Sequence, residues 1–258
     1  MLMLLLLGLL VGTILGLTGA GGGILAVPAL VFSQGWTVPE ATPIALLAVT
    51  GSALVGAIEG YFRHLVRLRA AALMALTGTL AAPLGMLAAH ALPERVLLVL
   101  FALAMLLVAA RLFSQREVER LHVPCQTHSV TGRIIWNRSS FMVLALIGAV
   151  TGFLTGLLGV GGGFVMVPAL RRASHISLHG IVATSLSVIA LVGAGGVLSA
   201  LWHGQSLDPV IALPFMGAAA VGMLGGRQLV RLLRPEQVKR GFALLVMMVA
   251  ASMLYRAR

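Results

Sequence analysis

The stretch GLTGAGGGILAVPAL, from Gly16 to Leu30, returns 140 positions later as GLLGVGGGFVMVPAL, from Gly156 to Leu170. Each copy carries five glycines within eight positions: Gly16, Gly19, Gly21, Gly22 and Gly23 in the first, Gly156, Gly159, Gly161, Gly162 and Gly163 in the second. Glycine in a helix interior costs about 1 kcal/mol relative to alanine, so a run of three interrupts any helix that contains it. The chain is therefore two similar halves, each with a helical element broken at the same place. The likeness continues past the glycines. Ala41-Thr42-Pro43 aligns with Ala183-Thr184-Ser185, and Pro93-Glu94-Arg95-Val96 with Pro235-Glu236-Gln237-Val238.

What surrounds the breaks fixes the solvent. Of 258 residues 59% are hydrophobic and 10% charged, with a mean hydropathy of +1.05. So few charges cannot cover a globule of this length in water, which makes the chain an integral membrane protein with lipid as its surroundings. The formal charge of +11 does not point to nucleic acid, because that would need a basic face on a water-compatible fold. Here the arginines sit between apolar runs, as topology signals beside anionic lipid do. The single cysteine, Cys125, excludes an intrachain disulfide. His122 and His128 flank it, and the trio reads as an exposed loop cysteine with incidental histidines, with no metal or cofactor expected.

In chain order, Met1 to Leu17 is apolar without a basic leader region. It reads as a retained segment, since its counterpart, Phe141 to Leu157, lies mid-chain. Ile24 to Phe32 is a short apolar piece and Ser33 to Glu40 a polar connection. Thr37 and Glu40 have capping-box spacing, which starts a helix near Val38 that runs to about Tyr61. A basic turn with Arg63, His64, Arg67 and Arg69 precedes spans at about Ala70 to His90 and Val96 to Phe113. Ser114 to Arg138 is a long polar, partly ordered linker. Further spans follow at about Leu178 to Trp202, Val210 to Leu229 and Val238 to Tyr255. The expected organisation is a first transmembrane repeat over 1–113, a basic cytoplasmic linker over 114–138 and a second repeat over 139–258.

Whether each broken element crosses the membrane decides the fold. With eight transmembrane spans, the 18 basic residues divide ten to eight: Arg95, Arg171, Arg172, Arg227, Arg231, Arg234, Lys239 and Arg240 face the other ten. If each broken element dips in and returns, each half has three crossings and the second half is inverted. Only Arg95, Arg256 and Arg258 then oppose the remaining fifteen of the 18. The positive-inside rule favours this second arrangement and places both termini outside, with the linker in the cytoplasm. Length agrees. An unbroken helix from Met1 to Val31 would be about 45 Å long and would have to tilt by nearly 50° to cross about 30 Å of hydrocarbon. The expected fold class is an all-α polytopic membrane protein of two inverted repeats, each a glycine-broken re-entrant helical hairpin plus three transmembrane helices. Eight transmembrane spans is the alternative.

Irregular backbone at membrane depth must be buried in protein or line a cavity, and two inverted breaks would meet near the midplane. A short helix begins after each run, at Ile24 and at Phe164. Each exposes free N–H groups and about half a positive charge, which suits a small anion without an arginine at the membrane centre. The candidate binding set is therefore Gly19, Gly21, Gly22 and Gly23 with Gly159, Gly161, Gly162 and Gly163, joined by the hydroxyls of Thr42, Thr184 and Ser185. Two plainer readings stand beside it. The glycines permit close helix packing, and the hydroxyls bond to preceding carbonyls. Pro28, Pro43 and Pro168 shape helices. Glu59, four residues before Arg63, reads as an exposed helix ion pair, although its acidity invites a role in proton coupling. His90, His203 and Asp208 fall at outer boundaries, and Trp36, Trp136 and Trp202 read as interface anchors.

Enzyme chemistry finds no purchase. GLTGAGGG lacks G-x-G-x-x-G spacing and a following acidic residue in a soluble unit, and neither G-x-S-x-G nor H-E-x-x-H occurs. The paired glycine segments, Ala-Thr-Pro and Ala-Thr-Ser after them, and the basic mid-chain loop resemble the sulfite exporter TauE/SafE family of membrane permeases, over almost the whole chain. The resemblance implies a cytoplasmic-membrane transporter of small sulfur anions, sulfite or organosulfonates, coupled to an ion gradient with the proton as candidate ion. It carries over the glycine segments and the threonines that follow. A secondary transporter working by alternating access is the expected function. An anion channel and a non-transporting accessory subunit are its rivals.

Overall fold

The computed structural model describes residues 1–19, 22–113, 125, 135–202, 208–229 and 235–256. Those residues are helical almost throughout. The order is α1 (Leu2–Thr18), a 3-10 turn (Gly22–Leu25), α2 (Ala26–Gln34), α3 (Val38–Phe62), α4 (Leu68–Ala91), α5 (Glu94–Phe113), α6 (Arg138–Leu158), α7 (Gly163–Ala173), α8 (Leu178–Trp202), α9 (Pro209–Leu229) and α10 (Pro235–Arg256). Among the described residues α3, α4, α6, α8 and α9 are long and apolar enough to cross a bilayer. The capping box forms: the Thr37 N–H donates to the Glu40 carboxylate at 2.9 Å, and α3 starts at Val38 as its spacing requires. In the second half Asn137 starts α6, its side chain accepting from the Ser140 N–H at 2.7 Å.

Two glycine seams hold the bundle together. A Cβ placed on Gly8, Gly12 or Gly16 of α1 would strike the carbonyl oxygens of Phe215, Ala219 and Met223 on α9. On α6, a Cβ at Gly148, Gly152 or Gly156 would strike those of Met74, Gly78 and Ala82 on α4. A four-residue step puts each set on one stripe of its helix, where the missing side chains let backbones touch and Cα–H groups face carbonyls. Both partners advance together along each seam, so α1 runs parallel to α9 and α6 parallel to α4.

The same bookkeeping of neighbours fixes the other directions. Along α3, Leu46 lies by Gly196, Thr50 by Gly193 and Gly60 by Ala183, so α3 and α8 are antiparallel. Gly51 meets Met216 and Gly56 meets Met223, so α3 and α9 are parallel. Gly78 meets Val192 and Thr79 meets Gly195, so α4 and α8 are parallel too. It follows that α1 and α3 point the same way, as do α6 and α8. The chain between them must come back, and the 3-10 turn with α2, and α7 in the second half, return it. At 1.5 Å per residue α2 and α7 are only about 14 and 16 Å long. The packing is unchanged when the halves are exchanged: α1 on α9 mirrors α6 on α4, and α3 on α9 mirrors α8 on α4, while α3–α8 and α5–α10 are self-paired.

The bundle ends are chemically distinct. Glu59, at the end of α3, pairs with Arg63 at 2.9 Å and with Arg227 of α9. At the opposite end Arg256 donates to the Val31 carbonyl at 3.1 Å. Arg63 and Arg227 thus share one end, although eight spans would have put them on opposite sides.

Cys125 departs from expectation. It is buried, not exposed: its N–H donates to the Ala173 carbonyl at 2.8 Å, and it forms a bridge with Ser174 at the end of α7. Burial pushes its thiol pKa up, a hydrogen bond with Ser140 opposing this in part. Of its flanking residues, His122 and His128 lie outside the described residues.

Two outcomes follow. Gly152→Val forces a side chain into the Gly78 backbone, which no rotamer change relieves, destabilises the protein by at least the ~1–3 kcal/mol typical of overpacking and so lowers the melting temperature in detergent. Gly225→Ala, on an open face of α9, leaves it unchanged or raised. The sole cysteine reacts with maleimide at pH 7 far more slowly in folded than in denaturant-unfolded protein, followed by mass spectrometry.

Candidate functional site

The two glycine breaks touch halfway along the bundle. A Cβ on Gly23 would lie 2.5 Å from the Val160 carbonyl and 3.2 Å from Val49. One on Gly161 would lie 2.9 Å from Val49 and 3.0 Å from Ile189. Val49 and Ile189 stand at the middles of α3 and α8, so the crossing is at mid-span. Gly161 and Gly162 have φ of 75° and 58°, a left-handed backbone that side chains with a Cβ disfavour. The sequence therefore needs glycine there for conformation as well as for space.

The expected site residues do not all gather at this crossing. Gly22 packs on the α1 backbone at Leu15, and Gly163 opens α7. Gly19 lies against Val182 and Gly159 against Thr42, towards opposite ends of the bundle. Gly21 lies outside the described residues. Thr42 and Thr184 are far apart because α3 and α8 are antiparallel. Thr184 faces the Gly56–Gly60 part of α3, about 21–27 Å along that helix from Thr42. The Thr42 hydroxyl donates to the Val38 carbonyl at 2.8 Å, and that of Ser185 to Ile181 at 2.8 Å, the back-bonding role. Thr184 accepts from the Arg67 N–H at 3.1 Å, a link between the repeats.

The helix starts differ slightly from expectation. The first half passes through the 3-10 turn before α2 begins at Ala26 rather than Ile24, and α7 begins at Gly163 rather than Phe164. The first N–H groups of a helix lack intrahelical partners, so α7 directs a partial positive charge from Gly162 towards the crossing. A Cβ on Gly162 would sit 2.6 Å from the Thr151 carbonyl and 2.8 Å from the Thr155 hydroxyl.

Two residues at this depth are missing from the sequence-derived set. The hydroxyl oxygens of Thr50 and Thr151 are buried and have no hydrogen-bond partner. Thr151 is 1% exposed. Thr50 stands beside Gly193 of α8, while Gly152, next to Thr151, packs on Gly78, which in turn meets Val192. Both hydroxyls therefore lie at the level of the glycine crossing. A buried, unsatisfied hydroxyl costs about 1–3 kcal/mol, so its presence on an otherwise apolar face needs a reason. A signal did exist: 140 positions before Thr151 and Thr155 stand Val11 and Leu15, so the hydroxyls belong to the second copy alone.

Two small cavities of about 20 Å³ each share Thr42, Leu46, Met86 and Gly156, and one of them also reaches Thr79 and Thr155. Each has room for about one water, so neither admits an oxyanion unless the helices move. Among the described residues no three metal-ligating side chains cluster. Glu59 is not the simple exposed pair its spacing predicted, because Arg227 from the other repeat is a second partner. His203 lies outside the described residues. Trp202, 86% exposed at the end of α8, suits an interface anchor.

Comparison with known proteins shows the family. The sequence model described as "Sulfite exporter TauE/SafE" matches residues 4–253. A "Probable membrane transporter protein" of Xylella fastidiosa (strain 9a5c) is 32% identical over 253 residues, covering 97% of this chain and 93% of its own. One from Methanocaldococcus jannaschii is 25% identical over 205 residues, covering 77% and 72%. The Bacillus subtilis "Probable membrane transporter protein YunE" is 26% identical over 266 residues, covering 98% and 96%. With a glycine-broken helix in each half, apolar membrane-length helices and a match across nearly its whole length, the chain belongs to the sulfite exporter TauE/SafE family of membrane transporters.

Proposed function

We propose that this protein is a secondary transporter of small anions, sulfite or organosulfonates, working by alternating access between two inverted repeats. The observation that carries the reading is the meeting of Gly23 with the Val160 carbonyl at mid-span, where Gly23 and Gly161 both pack on Val49, at the depth of the unpartnered hydroxyls of Thr50 and Thr151. An oxyanion there would accept hydrogen bonds from both hydroxyls and from the first N–H groups of α7. The glycines let backbone come close, and no full positive charge has to be kept at the centre of the membrane. The family's name, that of a sulfite exporter, supports small sulfur anions as the substrate class.

Inversion is supported by the antiparallel packing of α3 on its repeat-mate α8, which requires the pseudo-twofold axis to lie across the helices. The end carrying Glu59, Arg63 and Arg227 is then cytoplasmic, with the linker, and both termini face outside the inner membrane. Thr184 bonded to Arg67, and Glu59 bonded to Arg227, tie the repeats together at that end. The small cavities around Thr42 lie towards the other end. The structure described is closed around the crossing, and rocking of the halves would open one end at a time. A proton gradient is the proposed driving force.

Sulfite flux into proteoliposomes tests the site. Thr151→Val keeps nearly the same shape and removes only the unpartnered hydroxyl. It lowers flux at least tenfold, the equivalent of about 1.4 kcal/mol, while leaving thermal stability unchanged or raised. Gly162→Val abolishes flux. Wild-type flux in both variants contradicts the site, and flux that never saturates favours a channel.

Topology has its own test. In a Cys125→Ser background, an impermeant maleimide added outside whole cells labels Trp202→Cys and spares Arg69→Cys. Eight spans would put both positions on one side, so equal labelling contradicts the inverted arrangement.

A further inference from the structure

At the basic end, the turn between α3 and α4 borders a half-open cavity of about 430 Å³ lined by Tyr61, His64, Arg67, Arg69 and, from the end of the linker just before α6, Trp136. The size is that of a small-ligand pocket. Its rim is a built turn. The Leu65 N–H donates to the Gly60 carbonyl at 3.0 Å, that of His64 to Tyr61 at 2.9 Å, and His64 takes a left-handed φ of 56°. Among the described residues no carboxylate lines it, and the ion pairs are those of Glu59 with Arg63 and Arg227. Arg67 and Arg69 thus line the cavity with no acidic counterpart among the described residues.

Arg67 carries the inference furthest. Its Nε is buried with no hydrogen-bond partner, while its backbone N–H is held by the Thr184 hydroxyl at 3.1 Å. A desolvated guanidinium N–H is costly unless an acceptor arrives, and the planar fork of a guanidinium matches the oxygens of a sulfonate, sulfite or phosphate group. Tyr61 and Trp136 add aromatic wall against which the carbon part of an organic anion packs.

We propose that Arg67 and Arg69 form an oxyanion-binding vestibule at the basic end of the bundle, distinct from the mid-span crossing and linked to α8 through Thr184. The oxyanion has two sources, a soluble sulfur anion or the phosphate of an anionic lipid headgroup. In its soluble form the site is where substrate gathers before the inner end opens, and that form rests on the transport reading.

The test uses full-length protein in detergent. Trp36→Phe and Trp202→Phe leave Trp136, on the cavity wall, as the only one of 3 tryptophans. At fixed ionic strength its fluorescence is titrated with sulfite and, separately, with dioctanoyl-phosphatidylglycerol, the matching phosphatidylcholine being the uncharged control. A saturable change is expected with sulfite, weakened at least tenfold by Arg67→Gln and less by Arg67→Lys, which keeps the charge and loses the fork. A response to phosphatidylglycerol alone, with the same dependence on Arg67, supports the vestibule with lipid as its occupant. If Arg67→Gln does not fold, the exposed Arg69→Gln carries the same comparison. No saturable change with either anion, or equal affinity in wild type and variant, overturns the site. Proteoliposome flux separates this from the transport reading. Absent flux with a responsive Trp136 sinks transport alone, whereas normal flux with a silent Trp136 sinks the vestibule alone.

Discussion

A peptide backbone that leaves its helix inside a membrane must find other cover for its N–H and C=O groups. This constraint organises the protein. The broken element of each half is clasped by a helix of the other half, α1 by α9 and α6 by α4, along glycine seams that bring backbone against backbone. The exchange explains why the halves do not form separate bodies. Gly22 and Gly162 are covered from within their own halves, while Gly23 is covered by the Val160 carbonyl of the other half, so each break is shielded partly across the repeat boundary.

From that clasp the helix directions follow. Because α9 holds α1 and also runs parallel to α3, the first two long helices of the chain point the same way, and α2 has to bring the chain back. The second half repeats this through α7. The return strokes are short, so the glycines come to rest at the middle of α3 and α8 rather than at a membrane surface. The proposed binding site lies at that depth. The contact of Gly23 with the Val160 carbonyl brings polar backbone to mid-span, and Thr50 and Thr151 add hydroxyls without partners.

Much of the architecture was legible in the residues. The glycine repeat announced two halves, Thr37 and Glu40 fixed the start of α3, and the basic residues favoured a chain that doubles back. The limits were those of information between distant elements. Thr42 and Thr184 align in sequence, which made them look like one site, yet antiparallel packing of α3 and α8 sends equivalent positions to opposite ends. Gly8, Gly12, Gly16 and Gly148, Gly152, Gly156 are regularly spaced, but only the partner carbonyls reveal what the spacing is for. Arg227 lies 168 positions from Glu59, and no local pattern pairs them. Cys125 looked exposed because its surroundings are polar, and is buried because its backbone docks on the end of α7.

The central claim is that the second half is inverted relative to the first, which is what brings the breaks face to face. Cysteine cross-linking between α3 and α8 measures this directly. A Cβ on Gly60 would lie 2.7 Å from that of Ala183, close enough for a disulfide after a small adjustment. In a Cys125→Ser background, Gly60→Cys with Ala183→Cys cross-links in native membranes on mild oxidation, and Gly60→Cys with Trp202→Cys does not. Cross-linking of residue 60 to 202 and not to 183 would mean that α3 and α8 run parallel, and would contradict the inverted repeat.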